Sequence, residues 1–170
     1  MKFILSLASA LSFATGSLAQ NLGTAAGFGV LGGSTVTNTG PTIVNGSVGL
    51  FPGTSIVGFP PGVVVPPGVI YTDDATAQGA QADASTAYTV LAGLAPTAVL
   101  MGDFGGTTLV AGVYKYASSA GLTGTLTLDG QFDPSSVWVF QIGSTLITAS
   151  NSAVVWINDA SPSHVFLAGW

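Results

Sequence analysis

Residues 123–158 read TGTLTLDGQFDPSSVWVFQIGSTLITASNSAVVWIN, a succession of short apolar runs broken by Gly, Ser, Asn and Asp. Each run suits a strand and each break suits a turn. Thr123, Thr125 and Thr127 alternate with Gly124, Leu126 and Leu128. Successive side chains of a strand point to opposite faces, so this alternation predicts one hydroxyl-bearing face and one apolar face. The habit continues from residue 105 to the C-terminus as GTTLVAGVYKY, TGTLTLDG, VWVFQIG, STLITAS, AVVWIN and HVFLA. VWVFQ at 137–141 recurs loosely as HVFLA at 164–168. Many short strands joined by Gly and Asn turns suit a β-helix or a sandwich.

Upstream, strands are expected at 28–31, at 35–37 and within 42–50. Residues 51–68 (FPGTSIVGFPPGVVVPPG) hold five of the nine prolines, mixed with Ile, Val and Phe. A linker would be more polar, so this stretch predicts an irregular apolar cap over about 51–71, packed against the end of a core. One helix is expected, over about 73–94. Thr72 or Asp73 can cap it, and Asp73 and Asp74 suit the positive end of its dipole. Ala80, Ala84, Ala87, Tyr88, Leu91 and Leu94 fall on one face at helical spacing, and Pro96 stops the helix after Gly93. An Ala-rich inner face predicts close packing against a sheet.

Charge changes the picture. Charged residues make up 5% of the 170, against roughly 25% in an ordinary globular domain. There is no Arg and no Glu; the charges are Lys2, Lys115 and seven Asp, for a net charge of -5. Nucleic acid and anionic membranes need clustered Lys and Arg, so neither is an expected partner. There is no Cys, hence no disulfide and no thiolate. The N-terminus nevertheless reads as a secretory leader over residues 1–19. Lys2 gives the positive start, FILSLASALSF the apolar stretch, and Ser17-Leu18-Ala19 the small-residue cleavage site. The expected product is a secreted, monomeric single domain spanning 20–170. Asn45-Gly46-Ser47 is the one acceptor tripeptide for N-glycosylation.

Catalytic chemistry finds little to work with. Asp103, Asp129, Asp133 and Asp159 lie where turns are expected, and turns favour Asp for its local backbone hydrogen bonds. The Asp73-Asp74 pair is accounted for as a helix cap. His164 is the single histidine and belongs to no nucleophile motif. No metal, no cofactor and no enzymatic activity are expected. A carbohydrate- or surface-binding adhesion module is the competing reading. It would need exposed aromatic platforms, for which Trp138, Trp156, Tyr114 and Tyr116 are the candidates, although the Trp residues sit within apolar runs.

LGTAAGFGVLGGSTVTNTGPTIVNGSVGLFPGT at 22–54, GFPPG at 58–62, GDFGGTTLVAGVYKY at 102–116 and VWVFQIGSTL at 137–146 together resemble the DUF3494 ice-binding (antifreeze) protein family. The resemblance follows the family's order over nearly the whole chain. It implies a mainly β fold, a right-handed parallel β-solenoid (β-helix) with one long α-helix packed along it and a cap. It also implies adsorption to the ice crystal surface through one flat, uncharged solenoid face, which restrains ice growth and recrystallisation. Stacked coils would set Thr side chains in a regular array, each with a hydroxyl for water and a methyl that resists disordered hydration. The candidates are Thr35, Thr37, Thr123, Thr125, Thr127, Ser144, Thr145, Thr148 and Asn151, the last two within a Thr-Ala-Ser-Asn run similar to a pattern of some members. The family's pattern continues for several strands past SPSHVFLAGW, whereas this sequence stops at Trp170. A solenoid ending there, truncated or minimal, is expected to expose an unpaired strand edge.

Overall fold

The computed structural model describes residues 21–169; the expected leader, residues 1–19, lies outside them. After a 3-10 turn at Gly23–Gly27, the chain winds in coils of three short strands. The first coil is β1 (Phe28–Gly32), β2 (Thr35–Thr37) and β3 (Ile43–Asn45). The second is β4 (Ser47–Leu50), β5 (Ser55–Val57) and β6 (Val63–Val65), and β7 (Ile70–Thr72) leads into the helix α1 (Ala75–Gly93). Beyond the helix come β8 (Ala98–Leu100) and β9 (Thr108–Val110). Next are β10 (Gly112–Tyr116), β11 (Ala120–Leu122) and β12 (Thr125–Asp129). The last coils hold β13 (Trp138–Ile142), β14 (Leu146–Thr148) and β15 (Ala153–Ile157), then β16 (Val165–Gly169).

Each strand pairs in parallel with its counterpart one coil away, which makes the fold a parallel β-solenoid with three sides. The first side is β1-β4-β7 and β16-β13-β10-β8, the second is β2-β5 and β11-β14, and the third is β3-β6 and β15-β12-β9. Residues in register share a direction, so one buried residue fixes the orientation of its whole file. Leu126 and Leu128 are buried, which turns Thr125 and Thr127 outward, as the alternation in the sequence predicts.

The two stacks have separate cores. Val36, Val44, Val48 and Leu50 fill the N-terminal one. The C-terminal one is aromatic: Trp138 is fully buried with Tyr116, Phe140 and Phe104 around it. Phe104 meets the Tyr116 ring at 5.5 Å edge-on, and Tyr114 stacks on Phe140 at 5.7 Å. The polar ends of Trp138 and Tyr114 are satisfied, as burial demands. The Trp138 indole N–H donates to the Leu109 carbonyl at 3.1 Å, and the Tyr114 hydroxyl donates to the Val110 carbonyl at 2.8 Å.

The helix lies on the first side and joins the stacks. Its N-cap is Asp74, whose side chain accepts from the Ala77 N–H at 2.8 Å. Neither Thr72 nor Asp73 takes that role, because Thr72 is still in β7 and Asp73 turns the chain with φ of 50°. Ala77 and Ala80 are fully buried, and Ala87 and Leu91 nearly so. Leu91 packs on Val113, Val139 and Ala168, the outward residues of the C-terminal stack's first side. Gln81 donates to the Gly32 carbonyl at 2.6 Å at the end of β1. Asp83 accepts from both the backbone N–H and the hydroxyl of Thr24, each at 2.7 Å.

Residues 51–71 are more regular than an irregular cap. They carry β5, β6 and the start of β7, and so complete the second coil. Proline masks this in the sequence because it suppresses strand propensity, yet each proline lies outside the three-residue strands. Phe59, in the irregular part, packs against the N-terminal core. Among the described residues β1 and β16 are edge strands, each with one strand neighbour, and the inward-facing Leu167 of β16 is 53% exposed.

Candidate functional site

Three sides compete for any flat contact, and the first is already occupied by α1 and carries Lys115. The third side is built from the longest paired strands outside the core side. Its outward files run Thr108–Thr127–Val155, Val110–Asp129–Ile157 and Thr125–Ala153, and in the N-terminal stack Ile43–Val63 and Asn45–Val65. Asp129 places a carboxylate in the middle of this side. It accepts from the Gln131 N–H at 2.9 Å and from Asn158 Nδ2 at 2.8 Å.

The second side is different. Its outward residues in the N-terminal stack are Thr35 over Ser55 and Thr37 over Val57, with Val36 and Ile56 turned inward. In the C-terminal stack they are Gly121 and Ile147. No strand of this side contains a charged residue. Asp103 continues the Gly121–Ile147 file through an isolated parallel bridge to Gly121, so its exposed carboxylate stands on this side beside β11. Its carboxylate is turned to local bonding, taking the Gly105 N–H at 2.6 Å and the Thr123 N–H at 3.0 Å. The Thr123 side chain, followed by those two backbone donors, holds the Asp103 carboxyl below the usual carboxylate range.

The candidate residues therefore divide. Thr35 and Thr37 stand outward on the second side, and exposed Ser144 and Thr145 precede β14 at the corner leading onto it. Their hydroxyl oxygens lie 3.4 Å apart. Thr123 and Asn151 occupy exposed turns between the second and third sides, Asn151 with φ of 62°. Thr125 and Thr127 belong to the third side. Thr148 is in register with buried Leu122 and so belongs to the inward file of β14. It is exposed because β14 has no strand beyond it, and it does not join an outward array. Ser55, Val57 and Ile147 are outward residues that the reading of the sequence passed over. The missing signal was coil length, which would have placed β5 under the Pro-rich stretch.

Chemistry of other kinds finds no geometry. Among the described residues no group of three or more His, Asp, Glu or Cys side chains could hold a metal. Asp133 is spent on the Ser135 hydroxyl and N–H, which hold its carboxyl low. Of the aromatic candidates, Trp138, Tyr114 and Tyr116 are buried and only Trp156 is exposed, so no paired platform forms. No described helix is long and apolar enough to cross a membrane.

Comparison with known proteins agrees with this architecture. The model of the family described as ice-binding-like matches residues 30–168, and the chain belongs to that family. An ice-binding protein of Nostoc sp. (strain HG1) is 52% identical over 98% of this chain and 62% of its own length. The crystal structure of an ice-binding protein from the Antarctic ascomycete Antarctomyces psychrotrophicus superposes with a TM-score of 0.83 at 45% identity. That match covers 87% of this chain and 72% of the other. The DUF3494 domain of ice-binding protein 1 from Shewanella frigidimarina gives 0.75 at 31% identity, over 87% of this chain and 75% of the domain. The chain thus spans about three-fifths of the Nostoc relative's length.

Proposed function

We propose that this protein is exported and adsorbs to ice through the second side of its solenoid, restraining ice growth and recrystallisation without catalysing a reaction. The observation that carries the reading is the outward row of Thr35, Thr37 and Ser55 on a side whose strands β2, β5, β11 and β14 contain no charged residue, on a stack of parallel coils. Coils repeat at about 4.7–4.9 Å, so Thr35 over Ser55 and Thr37 over Val57 present side chains at a fixed spacing. Such a row can hold a layer of water in register, with hydroxyls bonding it and methyl groups limiting its disorder. A charged side chain would bind its own hydration shell and disturb that layer, and the paired outward rows of β2 and β5 hold none. The relatives named above are ice-binding proteins, and this chain's sequence and coils are like theirs. The adhesion reading is left with Trp156 as its sole exposed platform among the aromatic candidates. Purified, folded protein is expected to give measurable thermal hysteresis and to suppress recrystallisation at low concentration. Folded protein that leaves ice grain size unchanged would overturn the assignment.

A further inference from the structure

The third side carries a feature that ice adsorption does not use. Asn45 ends β3 on an outward position, since its neighbour Val44 is buried in the N-terminal core. Its side chain is exposed and makes no hydrogen bond among the described residues. Three of the other asparagines behave differently, and Asn151, which also makes no side-chain hydrogen bond among the described residues, has no Ser or Thr two residues on. Asn38 donates to the Gly40 and Gly58 carbonyls and accepts from Thr42, Asn158 donates to Asp129, and Asn21 accepts from the Gly23 N–H. Those side chains hold turns together, and Asn45 holds nothing.

The next two residues have structural work of their own. Gly46 takes φ of 116°, and a Cβ there would lie 2.9 Å from the Gly29 backbone nitrogen, so only glycine fits the corner. The Ser47 hydroxyl accepts from the Val69 N–H at 3.2 Å, which anchors the turn entering β7. A free, exposed amide is thus presented two residues before a Ser, at the corner between β3 on the third side and β4 on the first. That is the accessible Asn-x-Ser geometry an N-glycan needs.

We infer that Asn45 is an N-glycan acceptor and that its sugar stands on the third side, leaving the second side clear for ice. In the reaction the Asn45 Nδ2 loses a proton and bonds to the anomeric carbon of an oligosaccharide carried on a lipid pyrophosphate, which leaves with the bonding pair. The second half of this inference rests on the proposed ice-adsorbing side; the first does not. A glycan beside Val65 and Ile43 also covers the most exposed apolar file of the N-terminal stack, where Ile43 is 68% exposed.

The test expresses the full chain behind a host secretion leader in a eukaryotic secretory host. Intact mass is read before and after peptide N-glycosidase, beside the Asn45→Gln variant. The expected secreted protein carries one glycan, the enzyme leaves Asp at position 45, and the variant carries none. Secreted protein with the Asn45 amide intact would overturn the acceptor assignment. Thermal hysteresis of the glycosylated and Asn45→Gln forms is expected to agree within twofold. A larger loss in the glycosylated form would overturn the placement of the sugar away from the ice-adsorbing side. Absence of hysteresis in both forms would instead count against ice binding itself, with the acceptor already decided by mass.

Discussion

The side-chain amide of Gln141, on β13, donates to the carbonyl oxygens of Leu91 at 2.8 Å and Leu94 at 2.9 Å, so the solenoid itself caps the C-terminus of its helix. The last carbonyls of a helix have no partner within it, and a buried carbonyl left bare is costly. Gln141 is 7% exposed, so water cannot readily take its place. Gln141→Ala is expected to destabilise the fold by about 1–3 kcal/mol, which for a chain of this size lowers Tm by about 3–10 °C. Thermal unfolding followed by circular dichroism measures it. Hydrogen exchange should show the last turn of α1 opening before the strands, and uniform protection along the helix would contradict the capping role.

Trp138 is the second fixed point. It is fully buried, spans the C-terminal core and ties β13 to β9 through the Leu109 carbonyl. Trp138→Ala removes the ring and leaves that carbonyl unpaired, a loss of about 3–5 kcal/mol. Chemical denaturation measures this, and a change below about 1 kcal/mol would mean that the core can close over the cavity.

Acid should loosen particular turns. The Thr24 hydroxyl and N–H hold the Asp83 carboxyl low, the Thr123 side chain and two backbone donors do the same for Asp103, and Ser135 for Asp133. A carboxyl depressed in the folded state contributes stability that is present above the ordinary Asp value of about 3.9. That contribution is lost as pH falls through the depressed values. Tm is therefore expected to fall as pH drops from about 5 towards 2, and Asp83→Asn should flatten part of that dependence. An acid slope identical in Asp83→Asn would remove Asp83 from the account.

Much of this fold could be read from residues. The alternation of Thr125 and Thr127 with Leu126 and Leu128 fixed which side chains face out, because one buried face imposes a period of two. The Ala face of α1 was equally plain, since Ala80, Ala87 and Leu91 fall at helical spacing and are buried, although Ala77, buried one turn earlier, was not part of the pattern. Register between coils was not legible. Whether Thr148 faces out depends on its pairing with Leu122, a contact between residues far apart in sequence that no local pattern records. The same long-range pairing separates Thr37 on the second side from Thr127 on the third, although both sit in strands that look alike in sequence. Prolines hid β5 and β6 by lowering the strand signal on either side of three-residue strands.

The claim that ice meets the second side is tested by bulky substitution on two sides of one protein. Thr35→Tyr with Thr37→Tyr breaks the outward rows of β2, while Thr125→Tyr with Thr127→Tyr alters the third side; all four positions point outward, so both variants should fold. Thermal hysteresis at matched concentration is expected to fall at least tenfold in the first variant and to stay within twofold of the unaltered protein in the second. Full hysteresis in the first variant with loss in the second would move the ice contact to the side of Asp129 and contradict the account.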